Sequence, residues 1–130
     1  MYELWFRIPY KNLIQSHSLK AALRPGDRRF PKKKGTKVGE RVEIKILKKN
    51  GDESSGIAPQ FDEFTTQAVI TGITYKSLNN FKELELRYCS PDSRTVETAI
   101  FQLGLIYNCE FSRDGMVSLL TWEYTDERNL

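Results

Sequence analysis

Alternating apolar and polar positions mark the strands of this chain. The alternation is cleanest from Arg41 to Leu47, where Val42, Ile44 and Ile46 face one way and Arg41, Glu43 and Lys45 the other, the pattern of a half-buried strand. Residues 2–8, Tyr-Glu-Leu-Trp-Phe-Arg-Ile, are β-branched and aromatic enough for a first strand, stopped by Pro9. Leu19 to Arg24 reads as a second, ended by the turn Pro25-Gly26-Asp27. A further strand runs from about Gln67 to Tyr75, where Val69, Gly72 and the threonines suit a curved or bulged barrel strand. The chain closes on a β-hairpin that turns at Arg113-Asp114-Gly115, its second strand running from Met116 to about Tyr124.

Two stretches carry a helical period instead. Tyr10, Leu13 and Ile14 sit at i, i+3 and i+4, which predicts one or two turns of helix on the core. Ser90-Pro91-Asp92-Ser93 predicts a helix start, with a Ser cap, Pro at the first helical position and Asp in the first turn. Val96, Ala99, Ile100 and Leu103 follow at helical spacing; Gly104 is a candidate end, although Ile106 and Tyr107 continue the stripe. Residues 50–60 form a polar loop, expected to be mobile. Five or six strands with two or three helices and no βαβ rhythm predict a small α+β barrel, one domain over residues 1–130.

Composition narrows the class. At 130 residues the chain can bury roughly two-thirds of its unfolded surface without a disulfide or metal staple. With 39% hydrophobic and 28% charged residues it lacks the signature of disorder. No apolar run approaches the ~20 residues of a membrane span, and Met1 to Arg7 lack the basic and apolar regions of a signal peptide, so no membrane partner and a cytoplasmic location are expected. Cys89 and Cys109 form no Cys-x-x-Cys pair, which excludes a disulfide framework and a thiolate zinc site. Their spacing allows a bridge; in a reducing cytosol they read as free thiols. His17 is the only histidine, so multi-histidine metal sites are excluded and no cofactor is expected. Beside Ser16 and Ser18 it lacks a third orienting group and reads as a surface residue. Asp52-Glu53 and Asp62-Glu63 read as solvated.

The net charge of +3 conceals a polarised chain. Residues 1–50 carry 14 Lys+Arg against 4 Asp+Glu, and residues 51–130 carry 6 against 13. Such segregation points to a positive face offered to an anionic partner, unless the fold averages it out. The densest basic segment is Arg28-Arg29-Phe30-Pro31-Lys32-Lys33-Lys34-Gly35-Thr36-Lys37. Arg24, Arg28, Arg29, Lys32, Lys33, Lys34 and Lys37 would neutralise phosphates while Phe30 or Tyr10 stacks on a base, the pairing single-stranded nucleic acids require. The alternative is a solvated loop with Phe30 tucked into the core. Arg24 either holds a phosphate or the carbonyl edge of a base at a barrel mouth, or forms a structural ion pair with Asp27 or Glu40. Trp5 and Trp122, in the first and last strands, read as core residues, with an aromatic base-binding wall as the alternative.

An aromatic strand, Tyr10, Ile14, alternating residues to Arg24, a turn, and then Val38-Gly39-Glu40-Arg41-Val42 together resemble the ASCH domain, a family with the PUA-like barrel. Arg24 matches the Arg of the family's Gly-x-Lys-Thr-x-Thr-x-Arg segment, and Val38-Gly39-Glu40 matches its Gly-Asp with a conservative change. Arg24-Pro25-Gly26-Asp27-Arg28-Arg29-Phe30 also resembles an Arg-x-x-Asp-Arg-x-Phe segment of a related PUA-like family. Some small bacterial ASCH proteins are amidohydrolases of N4-acetylcytidine, using the motif's Lys as base, its second Thr as nucleophile and a Glu before the late helix. Counted back from Arg24, those Lys and Thr positions hold Leu19 and Ala22, and Asp92 falls near the Glu. Leu19 and Ala22 offer neither base nor nucleophile, and Lys20, one residue out of register, would point to the opposite face of a strand.

Three functions stay open. The first is binding of RNA or a modified nucleotide or nucleoside without catalysis, through a basic cleft built from Tyr10, Lys20, Arg24 and the loop. The second is hydrolysis of a modified nucleoside or of RNA. The third is a protein-interaction module for an acidic partner.

Overall fold

The computed structural model describes residues 2–107 and 110–125. Five strands and two α-helices appear in the order β1 (Tyr2–Arg7), α1 (Lys11–Gln15), β2 (Ala21–Pro25), β3 (Arg41–Lys49), β4 (Gln60–Ser77), α2 (Val96–Tyr107) and β5 (Met116–Tyr124). Short 3-10 turns cover Ile8–Tyr10, Leu78–Asn80, Glu83–Leu86 and Pro91–Ser93. All five strands join one sheet in the order β1-β3-β4-β5-β2. β1 runs parallel to β3, and the remaining neighbours are antiparallel. The sheet curls into a half-barrel, the α+β architecture expected from the sequence.

Alternation sets the inner face. Leu4 and Phe6 pair in register with Ile44 and Ile46. With Val42, Ala68, Ile70, Leu120 and Trp122 they form the first core, which Ile14 of α1 plugs from one end. A second core lies on the opposite side of β2 and β5, where Ala21, Leu23, Val117 and Leu119 meet Ala99 and Leu103 of α2. β2 and β5 are therefore covered on both faces, which is why their sequences read as near-continuous apolar runs. Val96 and Ile100 pack on this core as their spacing predicts.

Curvature enters at Gly72. The β4–β5 register slips between Ile70 and Gly72, and a Cβ on Gly72 would stand 2.8 Å from Thr121 Oγ1.

Several expectations are corrected. Among the described residues no strand lies between α2, which runs on through Gly104 to Tyr107, and the Arg113-Asp114-Gly115 turn; β5 finds its partners in β4 and β2 instead of a local hairpin. Residues 108–109, where that strand would have continued, lie outside the described residues. The α-helix also starts later than Ser90. Thr95 caps it, exchanging hydrogen bonds with Thr98: the Thr98 amide donates to Thr95 Oγ1 at 3.1 Å and the Thr95 amide to Thr98 Oγ1 at 3.2 Å. Trp122 is buried, but Trp5 is 44% exposed. Leu4 and Phe6 occupy the inner face, so the residue between them must point outward, where Trp5 meets the ring of Phe61 edge-on at 4.9 Å. Asp62 is paired as well as solvated, 2.9 Å from Lys11 Nζ. His17 is half-buried and stacks on Tyr124 at 4.1 Å.

Candidate functional site

β1 and β2 are the two ends of the sheet, and its curl brings them face to face across an open seam. A pocket of about 90 Å³ occupies this seam, floored by Phe6 of β1 and Leu19, Ala22 and Arg24 of the β2 segment. Leu103, Ile106 and Tyr107 of α2 form one wall, and Tyr10, Cys89, Ser90 and Ser93 another.

Arg24 is the charged group of this pocket. It is half-buried, and its guanidinium carbon lies 4.8 Å from the centre of the Phe6 ring. Nη1 donates to the Leu23 carbonyl at 3.2 Å and Nη2 to the Trp5 carbonyl at 3.1 Å. Neither acceptor is charged, and among the described residues no carboxylate lies within ion-pair distance of Arg24. The expected alternative partners are engaged elsewhere: Asp27 is bound by Arg29, and Glu40 accepts from Thr36 Oγ1 at 2.5 Å. Burial holds the Arg24 guanidinium below the usual arginine range, and Arg28 adds a like charge nearby. Five N–H donors minus two engaged leave three for a ligand.

A hydroxyl cluster also lines the pocket. Tyr10 Oη donates to Asp92 Oδ2 at 2.9 Å, while Ser90 Oγ and Ser93 Oγ donate to Asp92 Oδ1 at 2.5 and 3.3 Å. Burial, reinforced by Asp92, pushes the Tyr10 phenol up to about 12. Burial likewise pushes the Cys89 thiol up to about 12, so this free cysteine is a poor nucleophile. Cys109 lies outside the described residues. Ser90 was expected as a helix cap; its hydroxyl serves the Asp92 carboxylate instead. The density of hydroxyls around an acid in Ser90-Pro91-Asp92-Ser93 was the signal that could have located this wall.

The basic loop between β2 and β3 is compact. Arg29 and Thr36 form a bridge, the Phe30 amide donates to the Thr36 carbonyl at 2.8 Å, and the Thr36 amide to the Arg28 carbonyl at 2.8 Å. A Cβ on Gly35 would fall 2.7 Å from the Lys32 carbonyl oxygen, so only glycine fits there. Tyr2 Oη donates to the Lys34 carbonyl at 2.8 Å and ties the loop to β1, the strand that carries Phe6.

The candidate residues fall into two groups. Tyr10 and Arg24 line the pocket. Lys32, Lys33 and Lys34 are exposed at the loop tip, and none pairs with a carboxylate among the described residues. Phe30 is 63% exposed instead of tucked into the core, with Lys37 Nζ 5.1 Å from its ring centre. Arg29 is engaged by Asp27 through Nε at 2.9 Å and Nη2 at 3.0 Å, which holds the Asp27 carboxyl at about 2. Arg28 spends Nε on the Pro25 carbonyl at 2.9 Å. Lys20 lies outside the pocket lining, with Nζ 6.0 Å from the ring centre of Tyr88. Among the described residues no group of three acidic, histidine or cysteine side chains could hold a metal ion, and no helix is long and apolar enough to cross a membrane.

No protein-family model matches the chain, and no curated protein sequence does. Solved structures do match its fold. A protein from Enterococcus faecalis described by the family model DUF984 superposes with a TM-score of 0.56 at 16% identity, over 91% of this chain and 71% of that one. The ASCH domain from Lactobacillus crispatus superposes with a TM-score of 0.55 at 11% identity, over 87% of this chain and 68% of that one. By fold, the chain is thus similar to the ASCH and DUF984 domains.

Proposed function

We propose that the protein binds a nucleotide unit of single-stranded RNA, or a free modified nucleotide or nucleoside, and does so without turnover. The base enters the pocket beside Arg24, and the phosphates run toward the basic loop. Arg24 carries this reading: a half-buried guanidinium over Phe6, with no carboxylate partner among the described residues and opening onto a pocket, is suited to the carbonyl edge of a base or an anion. The loop supports it, because cations interleaved with an exposed aromatic ring bind phosphate and base together. Loop and pocket share β1, through Tyr2 at one end and Phe6 further along. The reading of binding without turnover rests on the apolar Leu19 and Ala22 in the pocket wall and on the absence of a poised base beside Cys89.

Titration with short single-stranded oligoribonucleotides at two salt concentrations tests the proposal. Each phosphate contact contributes about −0.7 to the slope of log affinity against log salt. Converting Lys32, Lys33 and Lys34 to Glu together should weaken binding and flatten the slope while the fold persists, since the loop tip is exposed. Absence of binding at low salt, or an affinity indifferent to the triple change, would transfer the basic loop to an acidic protein partner.

A further inference from the structure

One carboxylate accepts hydrogen bonds from three hydroxyls on the pocket wall. Tyr10, Ser90 and Ser93 line the pocket, whereas Asp92 does not. All three donate to Asp92, Tyr10 to Oδ2 and the two serines to Oδ1. A carboxylate has no hydrogen to give, so the hydroxyls must donate, and each hydroxyl has only one proton. Their oxygens keep only lone pairs for the pocket. Arg24, which lines the same pocket, has only N–H donors to offer.

We propose that Asp92 sets the hydrogen-bond polarity of the pocket, so that it selects a heterocycle with an N–H donor beside a carbonyl or ring-nitrogen acceptor. The Watson–Crick edge of a nucleobase has this chemistry. The acceptor turns to Arg24 and the N–H turns to the Tyr10 and Ser90 oxygens, which stand closest to Asp92. A ligand whose nitrogen is blocked leaves those oxygens, on the half-buried Tyr10 and the buried Ser90, without a donor from the ligand, and unpaired buried acceptors are costly. Asp92 acts here as a positioning residue: it reaches the ligand through the hydroxyls it orients. The inference rests on the pocket being a nucleobase site, as proposed above.

Calorimetric titration of cytidine against N4,N4-dimethylcytidine, and of uridine against 3-methyluridine, tests both levels. The wild-type protein should bind at least one parent nucleoside and its methylated partner roughly 10- to 100-fold more weakly. Asp92→Asn should shrink that ratio by at least about threefold, because the amide nitrogen donates to the hydroxyl it faces and frees that hydroxyl's hydrogen to point into the pocket, while the amide oxygen still accepts from the others. A purely steric clash with the methyl groups would persist in Asp92→Asn, so an unchanged ratio there overturns the inference. Equal affinity for parent and methylated forms in the wild type overturns it too. Binding of none of the four nucleosides by the wild type defeats the pocket reading itself. If thermal melting shows that Asp92→Asn does not fold, Tyr10→Phe decides: it deletes one acceptor and keeps the ring, so the ratio must fall.

Discussion

Arg24 Nη2 donates to the carbonyl oxygen of Trp5 at 3.1 Å, so a side chain spans the seam between the end strands β2 and β1 where no backbone ladder does. The same guanidinium lies over Phe6 and opens onto the pocket. The residue that clasps the seam is thus also the one proposed to bind ligand, and the two roles separate by substitution.

Arg24→Met keeps an unbranched chain that can lie on the Phe6 ring but removes every donor. Deleting a half-buried cation with no counter-ion among the described residues relieves its burial, so stability should stay within about 1 kcal/mol of wild type. Nucleotide affinity should fall by about 1–3 kcal/mol, with less discrimination between bases. Chemical denaturation beside ligand titration checks this. A large loss of stability with binding intact would make Arg24 a structural clasp alone.

Gly35→Ala tests the shape of the basic loop at constant charge. The added Cβ would meet the Lys32 and Arg29 carbonyl oxygens at 2.7 and 2.8 Å, backbone atoms that cannot swing aside. Overpacking of this kind costs about 1–3 kcal/mol, so the melting temperature should drop. RNA affinity should drop with it although no lysine is lost. Unaltered affinity would mean that the loop binds by charge alone.

The Tyr10 phenol supplies a pH signature. Its value is raised from 10 to about 12, first by burial and then by Asp92, so folding favours the neutral phenol. The stability it contributes is therefore complete below pH 10 and is lost as pH climbs from 10 toward 12. Subtracting the phenolate absorbance of Tyr10→Phe from that of wild type should leave one titration centred near 12. A midpoint near 10 would show that Tyr10 faces solvent, away from Asp92.

N4-acetylcytidine should be released intact. Leu19 and Ala22 stand in the pocket wall where the resemblance places a base and a nucleophile, and Lys20 lies outside the lining. Acetate assayed after prolonged incubation should not exceed the uncatalysed amount. Turnover that vanishes in Lys20→Ala would restore an enzymatic reading and move Lys20 into the site.

β1 and β3 were legible from the sequence because each carries its own period, and β2 and β5 because they are near-continuous apolar runs. Val42, Ile44 and Ile46 declare an inward face whatever they pair with. Arg24 could be singled out by its motif, and the lysines of the loop by their density. Ala99 and Leu103 were readable for the same reason, since four residues return a helix to one face. The limits of α2 were harder, because Gly104 is tolerated inside a helix that packs well, and the Thr95–Thr98 cap competes with a better-looking Ser-Pro-Asp.

Local pattern cannot say which strand ends meet when a sheet curls. The pairing of β5 with β4 and β2 and the seam beside Arg24 both depend on contacts between residues far apart in the chain. Tyr10 and Asp92 are 82 positions apart, and nothing along the chain marks them as partners. The sequence alone determined which segments alternate, which face of each is apolar and where positive charge collects, because periodicity and charge are properties of neighbours. The tertiary structure alone decided that one carboxylate would hold three hydroxyls in the same pocket as the Arg24 guanidinium, because hydrogen bonds require proximity in space and only the closed fold supplies it.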